Sequence, residues 1–419
     1  MAVKLNGEFS AGWKILLIAL LGVATSPHYL GLYSFGPLVQ DLKASLGVPI
    51  GELQRAITFN FVGIAIGSQL AGWLIERFEM RTVVLWSLLL FSSAYAAMGF
   101  LELTRNTLYL FYLLMPLVGS GALLVTWTQL VCQDFEKSRG LALAIILSGG
   151  GIISTAAPLI LSSMAGTEGW QNAFYILALL PLLTFSVCLF ALPKTSGAEA
   201  ASLASAMPEN APQWGLSFAE ILRSWRFWIV ILSSVLVVLV ILSLITNIVP
   251  LLIEKGFSAT LANQIYSAFG VSLIAGRLLG GFLIDRIWAP GVTAAVMILP
   301  ALSCLLFLLA SSTTPLMVVA TVLVGFSAGA EYDMLAYLVS RYFGLKAYGK
   351  AYGAIIAITT LGSGMAPLLY GPVLDATGDY TLLLQIGFVA ALLGAPLFML
   401  LGRYPKFIEA DAPDAQTEP

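Results

Sequence analysis

Residues 72–77 read Gly72-Trp73-Leu74-Ile75-Glu76-Arg77, and residues 281–286 read Gly281-Phe282-Leu283-Ile284-Asp285-Arg286. The copies lie 281 − 72 = 209 positions apart in a chain of 419 residues. Each closes an apolar run with an acid followed by a base. Ala157-Pro158-Leu159 returns as Ala366-Pro367-Leu368 at the same offset, 366 − 157 = 209. Leu130-Val131 with Phe135 returns as Leu338-Val339 with Phe343 at an offset of 208. Three registers agreeing at half the chain length mark an internal duplication.

The residues around these copies define the solvent. Hydrophobic residues make up 59% of the chain and charged residues 10%, against roughly 25% charged in a soluble domain. So little polar surface excludes a soluble enzyme, a nucleic-acid binder and a disordered chain. Apolar spans fall near 14–40, 52–75, 82–102, 107–132, 140–163 and 170–192, then near 225–253, 258–284, 290–311, 315–340, 351–374 and 380–402. Runs of this length cross lipid as helices, because the bilayer core offers the backbone no hydrogen-bonding partner. The expectation is an all-α membrane protein with twelve transmembrane helices in two pseudo-symmetric bundles of six. The bundles take residues 1–192 and 224–403, joined by a polar linker at 193–223 and followed by a tail at 404–419. A short surface helix is expected near Phe218–Leu222. Parallel repeats of this kind place a substrate site near the midplane between the halves.

Lys and Arg set the orientation. With both termini and the linker on one side, that side holds 15 of the 20 basic residues, the other holds four, and Arg277 lies inside a span. The first side is therefore expected to be cytoplasmic, in a plasma or inner membrane. The N-terminal run is too long for a cleavable signal core. Cys132, Cys188 and Cys304 each sit in an apolar run and read as packing residues, with no disulfide framework and no metal spacing. Neither cofactor nor metal is expected. A single histidine and scattered cysteines supply no catalytic cluster, so an enzyme is not expected, and the linker and tail are too small for a sensor's output domain. Gly344 to Ala351 approaches a phosphate-loop spacing. It follows a membrane helix and carries Ala351 where a hydroxyl is needed, so gradients, not ATP, are the expected energy source.

The Gly-x-Leu-x-Asp/Glu-Arg motif after the second and eighth spans of a six-plus-six chain resembles the major facilitator superfamily over nearly the whole length. The first copy departs in having Glu79, Met80 and Arg81 where a Gly and two basic residues are usual. Val249-Pro250-Leu251, Glu254-Lys255-Gly256, Gly276-Arg277-Leu278 and Arg341-Tyr342-Phe343-Gly344 are similar to the monocarboxylate porter and oxalate/formate branch. The resemblance implies a cavity lined by helices 1, 4, 7 and 10 and an Arg in helix 8 that binds a substrate carboxylate. It also implies a cytoplasmic gate where helix 2 meets helix 11 and helix 5 meets helix 8. The chain has His28 and Tyr29 where the animal porters carry a Lys, Leu273 where they carry an Asp, and no Lys between Ala351 and Pro372, where oxalate porters have one.

Arg277 carries the chemistry. It precedes Asp285 by eight residues, ~12 Å of helix. An Arg at the centre of a membrane helix costs ~2.5–3.5 kcal/mol, and its planar fork suits a carboxylate. It reads as a binding residue for an organic anion or as half of a structural ion pair. Glu331 and Asp333 lie at similar depth. Two positions on a helix differ by ~200°, so the two cannot face one cavity. Asp333 shares a face with Gly329 and Tyr337, and Glu331 with Ser327 and Leu335. A buried carboxyl without a partner takes up a proton, which makes one of them a candidate proton carrier. His28, Tyr29 and Tyr33 in the first span, Thr126 and Gln129 in the fourth, Asn247 in the seventh and Tyr337 in the tenth are candidate ligand contacts. Glu76, Arg77, Asp285 and Arg286 read as gate and helix-end charges. The reading is a monomeric secondary transporter of a small monocarboxylate-like anion, by proton symport or anion exchange. The alternative is a proton-driven exporter of cationic or amphipathic compounds, for which the expected helix 5 glycine–proline signature is missing.

Overall fold

The structure, a computed structural model, describes residues 2–135, 139–162, 171–192, 215–309, 313–344 and 346–405. Among them, no β-strand is present, and helices follow one another with short breaks. The first half runs α1 (Ala2–Ala24), α2 (Pro27–Leu46), α3 (Ile50–Arg77), α4 (Met80–Phe100), α5 (Arg105–Val118), α6 (Leu124–Asp134), α7 (Arg139–Leu147), α8 (Gly149–Ser162) and α9 (Gln171–Ala191). A short α10 (Phe218–Arg223) leads into the second half. That half runs α11 (Trp225–Glu254), α12 (Ala259–Ile284), α13 (Ala289–Met297), α14 (Leu299–Leu309), α15 (Thr314–Phe343), α16 (Tyr348–Thr377) and α17 (Thr381–Leu397).

Among the described residues, ten helical spans are long and apolar enough to cross a membrane, and α1 with α2 makes an eleventh if this pair, bent by 45°, is one span. The bend has a local cause. Ser26 caps α2, and Pro27 has no N–H to continue the ladder from α1. The place of the fourth expected span, 107–132, is filled by α5 and α6. A 3-10 turn, Ser120–Ala122, interrupts them, and neither piece alone is long enough to span. Here Pro116 removes a backbone donor, and the Gly121 N–H turns aside to Ser87 Oγ at 3.0 Å. The fold is thus that of an all-helical membrane protein, and ten or eleven spans are consistent with the twelve expected. Most of the expected linker and tail, residues 193–214 and 406–419, lies outside the described residues. The expected surface helix is α10. Its Ser217 side chain and N–H both donate to Glu220, holding that carboxyl below its ordinary range.

Small residues decide how closely the helices approach. A Cβ at Gly276 would overlap the Phe326 carbonyl, one at Gly325 the Phe269 carbonyl, and one at Gly329 the Leu273 carbonyl. These three positions bring α12 and α15 nearly backbone to backbone. Between the halves, α3 packs on α16, α8 on α12 and α2 on α11. A Cβ at Gly51 would overlap the Gly371 carbonyl, and one at Gly364 would lie 2.9 Å from Phe61 Cβ. Since α3 and α16 run antiparallel, Gly72 falls opposite Gly353, as 61 + 364 = 72 + 353. At both of those glycines a Cβ would meet nothing within 4 Å. The halves therefore press together at the Gly51 end and part toward the Arg77 end. The resemblance puts the α3–α16 and α8–α12 meeting points at the Arg77 end. Here the same helix pairs meet farther along, and Gly72 and Gly353, nearer that side, have nothing against them.

Candidate functional site

The close α12–α15 approach sets Arg277 against Asp333. Their Nε and Oδ2 atoms are 3.6 Å apart, with the Arg277 side chain 6% exposed and that of Asp333 40% exposed. This is an ion pair, but too long for a hydrogen bond. Arg277 Nε and Nη1 are both buried with no hydrogen-bond partner. A buried guanidinium that leaves two nitrogens without a hydrogen-bond partner is costly, and an anion is the kind of group that offsets that cost.

Around this charge the two halves contribute rings. Tyr29 is an electrostatic neighbour of both Arg277 and Asp333. Its ring stacks on Tyr33 at 5.8 Å and meets the edge of His28 at 4.9 Å. His28 also meets Phe61 at 5.9 Å. From the other half, Phe269 lies 5.7 Å from Tyr33 and stacks on Tyr266 at 5.7 Å. Tyr332 and Tyr352 complete the surroundings of the charged pair. Phe61, Tyr266, Phe269, Tyr332 and Tyr352 were not among the expected contacts. In sequence they are indistinguishable from the apolar residues beside them, and only the helix packing gathers them.

Glu331 makes no ion pair with Arg277, though Tyr332 and Tyr352 of this cluster are its electrostatic neighbours. It is 4% exposed, and its Oε1 has no partner. Ser327, one turn earlier, donates to the sulfur of Met297, so that face of α15 looks toward α13. Thr126 is buried with Oγ1 unpartnered, and Gln129 is half-buried. Asn247 is engaged at the closed end, where its Oδ1 accepts from Gln54 Nε2 at 2.5 Å across the two halves. Gln54 was not expected there, although a glutamine inside an apolar span was a signal. Tyr337 is half-buried under Arg341, whose guanidinium lies 5.9 Å from its ring.

The gate residues show a repeated arrangement. Arg77 lies over the Trp73 ring at 5.1 Å, and Arg286 over the Phe282 ring at 3.5 Å. Each is an Arg on the ring four residues earlier, at equivalent places in the two repeats. Asp285 is exposed at the end of α12. The side chain of Glu76 lies outside the described residues, as does that of Cys132. Cys188 and Cys304 are buried and free.

Comparison with known proteins shows the family. The pattern of a family described as the Major Facilitator Superfamily matches residues 21–367. The cis,cis-muconate transport protein of Acinetobacter baylyi is 24% identical, covering 86% of this chain and 87% of its own. The 3-(3-hydroxy-phenyl)propionate transporter of Escherichia coli is 25% identical, covering 87% and 90%. Monocarboxylate transporter 13 of Bos taurus is 23% identical, covering 97% and 92%. Among solved structures, a bacterial homologue of the human lysosomal transporter Spinster, inward-facing and unoccupied, superposes with a TM-score of 0.68. It is 16% identical and covers 94% of this chain and 97% of its own.

Proposed function

The chain belongs to the Major Facilitator Superfamily, and from that premise we propose that it carries a small organic anion with one carboxylate across the membrane, together with a proton, by alternating access. It is a multi-pass membrane transporter and not an enzyme. The observation that carries the proposal is the buried Arg277 guanidinium with Nε and Nη1 unpartnered beside a single, loosely held carboxylate.

In this reading the substrate carboxylate binds the Arg277 guanidinium at a face where donors are free. Asp333 competes for the same charge. A proton on Asp333 removes that competitor, so proton and substrate bind together and the site stays neutral in sum. After both have left, ionised Asp333 closes on Arg277 again, and the empty site crosses as a neutral pair. Return with a second anion in place of the empty pair gives exchange. The surrounding rings of His28, Tyr29, Tyr33, Phe61 and Phe269 favour a flat, unsaturated or aromatic body behind the carboxylate. The relatives named for muconate and 3-(3-hydroxy-phenyl)propionate point the same way. With 15 basic residues on the side of the termini, the open Arg77 end faces the cytoplasm of a plasma or inner membrane.

The test uses the purified protein in liposomes and a panel of aliphatic and aromatic carboxylates. An inward-directed proton gradient should drive uptake of the aromatic monocarboxylates. Arg277→Lys should lose most of it, because a point charge does not replace the fork. Arg277→Ala should lose the thermal stabilisation that the substrate confers. A folded Arg277→Ala protein that still binds carboxylates would remove the central claim.

A further inference from the structure

α3 and α12 begin at equivalent places in the two repeats, since 49 + 209 = 258. Ser258 caps α12 from within: its side chain accepts from the Leu261 N–H at 3.3 Å. Pro49 occupies the matching place before α3 and makes no side-chain cap. The first turn of a helix leaves N–H groups without intrahelical partners. In α3 one of these, the Gly51 N–H, donates to Asp375 Oδ1 at 2.9 Å. Asp375 belongs to α16, in the other half of the molecule. The approach depends on Gly51 having no side chain, because a Cβ there would overlap the Gly371 carbonyl and press on the Asp375 carboxylate.

We propose that Asp375 is a state-dependent helix cap, holding the Gly51 end closed by supplying the cap that α3 lacks. When that end opens, α16 withdraws and the first turn of α3 is left to water. When it closes, the carboxylate meets both an unsatisfied N–H and the positive end of the helix dipole. α12 has no such dependence, since Ser258 travels with it. The closed end is therefore favoured by an asymmetry between otherwise repeated halves. The inference rests on the alternating-access part of the proposed function and not on the substrate. A cavity of about 690 Å³, lined in part by Lys43, Pro49, Glu254, Asp375 and Tyr380, lies over the contact.

The experiment measures spin-label distances across this end without substrate. Labels go on Ser45→Cys and Thr381→Cys, both exposed, in the full chain freed of its three native cysteines and held in lipid nanodiscs. Asp375→Ala should raise the long-distance population about threefold to tenfold, the range expected for losing a cap. Asp375→Asn should stay near the parent, because an amide oxygen caps nearly as well. Pro49→Ser should also raise the open population, since α3 then carries its own cap in both states. Asp375→Ala should add little on top of it. The cap is overturned if Asp375→Asn behaves like Asp375→Ala, which would make charge the cause, or if Pro49→Ser has no effect. Should Asp375→Ala fail to fold, the Pro49→Ser and Asp375→Asn results decide alone. One fixed distance in every variant would instead overturn alternating access itself, whereas a shift with no carboxylate transport would count only against the substrate reading.

Discussion

If Asp333 and the substrate carboxylate compete for Arg277, then Asp333→Asn should tighten substrate binding while abolishing uptake driven by a proton gradient. Two unit charges 3.6 Å apart attract by about 4.6 kcal/mol at an effective dielectric of 20 and by about 1.2 kcal/mol in water. Asp333 is 40% exposed, and the pair lacks a hydrogen bond, so the lower part of that range applies. Removing the competitor should then be worth about 1–2 kcal/mol, or roughly fivefold to thirtyfold in Kd at 1.36 kcal/mol per decade. The sign with pH follows. In the parent protein, binding strengthens as pH falls, because protonation of Asp333 frees the guanidinium. In Asp333→Asn there is no proton to add, so affinity should be high and flat across the same pH range. Isothermal titration in detergent gives the Kd, and proteoliposome uptake gives the coupling. Exchange of pre-loaded substrate should survive, since it need not release the proton. Weaker binding in Asp333→Asn, or an unchanged pH slope, would show that Asp333 holds the substrate or only braces Arg277.

Three further outcomes are expected. Glu331→Gln should keep gradient-driven uptake, because Arg277 pairs with Asp333 and not with Glu331; loss of that uptake in a folded protein would move the proton to Glu331. Gly329→Val should cost about 1–3 kcal/mol of stability and weaken carboxylate binding more than Gly353→Val does, since only Gly329 lies against the backbone of α12; equal effects in thermal melts and binding titrations would refute this. A disulfide between Gly72→Cys and Gly353→Cys should stop transport and be reversed by reductant, because a Cβ at either position meets nothing and the antiparallel register brings the two together when the Arg77 end closes; full transport by the cross-linked protein would exclude rocking of the halves.

Much of this architecture is legible in the chain. Long apolar runs, the 209-residue repeat and one Arg at mid-depth are local patterns, and lipid allows them few interpretations. The ~200° between Glu331 and Asp333 is also local, and it separates a side chain exposed beside Arg277 from one buried on another face. What the chain conceals is pairing at a distance. Gln54 and Asn247 are 193 positions apart, and Gly51 and Asp375 are 324 apart; no periodicity links them. The ring cluster is hidden for another reason. Tyr266 and Phe269 have the same transfer character as any membrane-facing residue, so only helix packing shows that they turn inward. The interrupted fourth span was obscured because Pro116, Gly119 and Gly121 lie inside a run whose overall apolarity is intact.

The antiparallel contact of α3 with α16 is a lever with nearly equal arms. Phe61, which bears on Gly364, stands ten residues from Gly51 and eleven from Gly72, about 15 and 16 Å of helix. Each 10° of tilt about that point moves the two tips by about 3 Å in opposite directions. Whatever is wedged under one tip therefore props the other shut. A compound lodged at the Gly51 tip need not reach Arg277 to arrest the carrier, and it would do so without competing with the substrate.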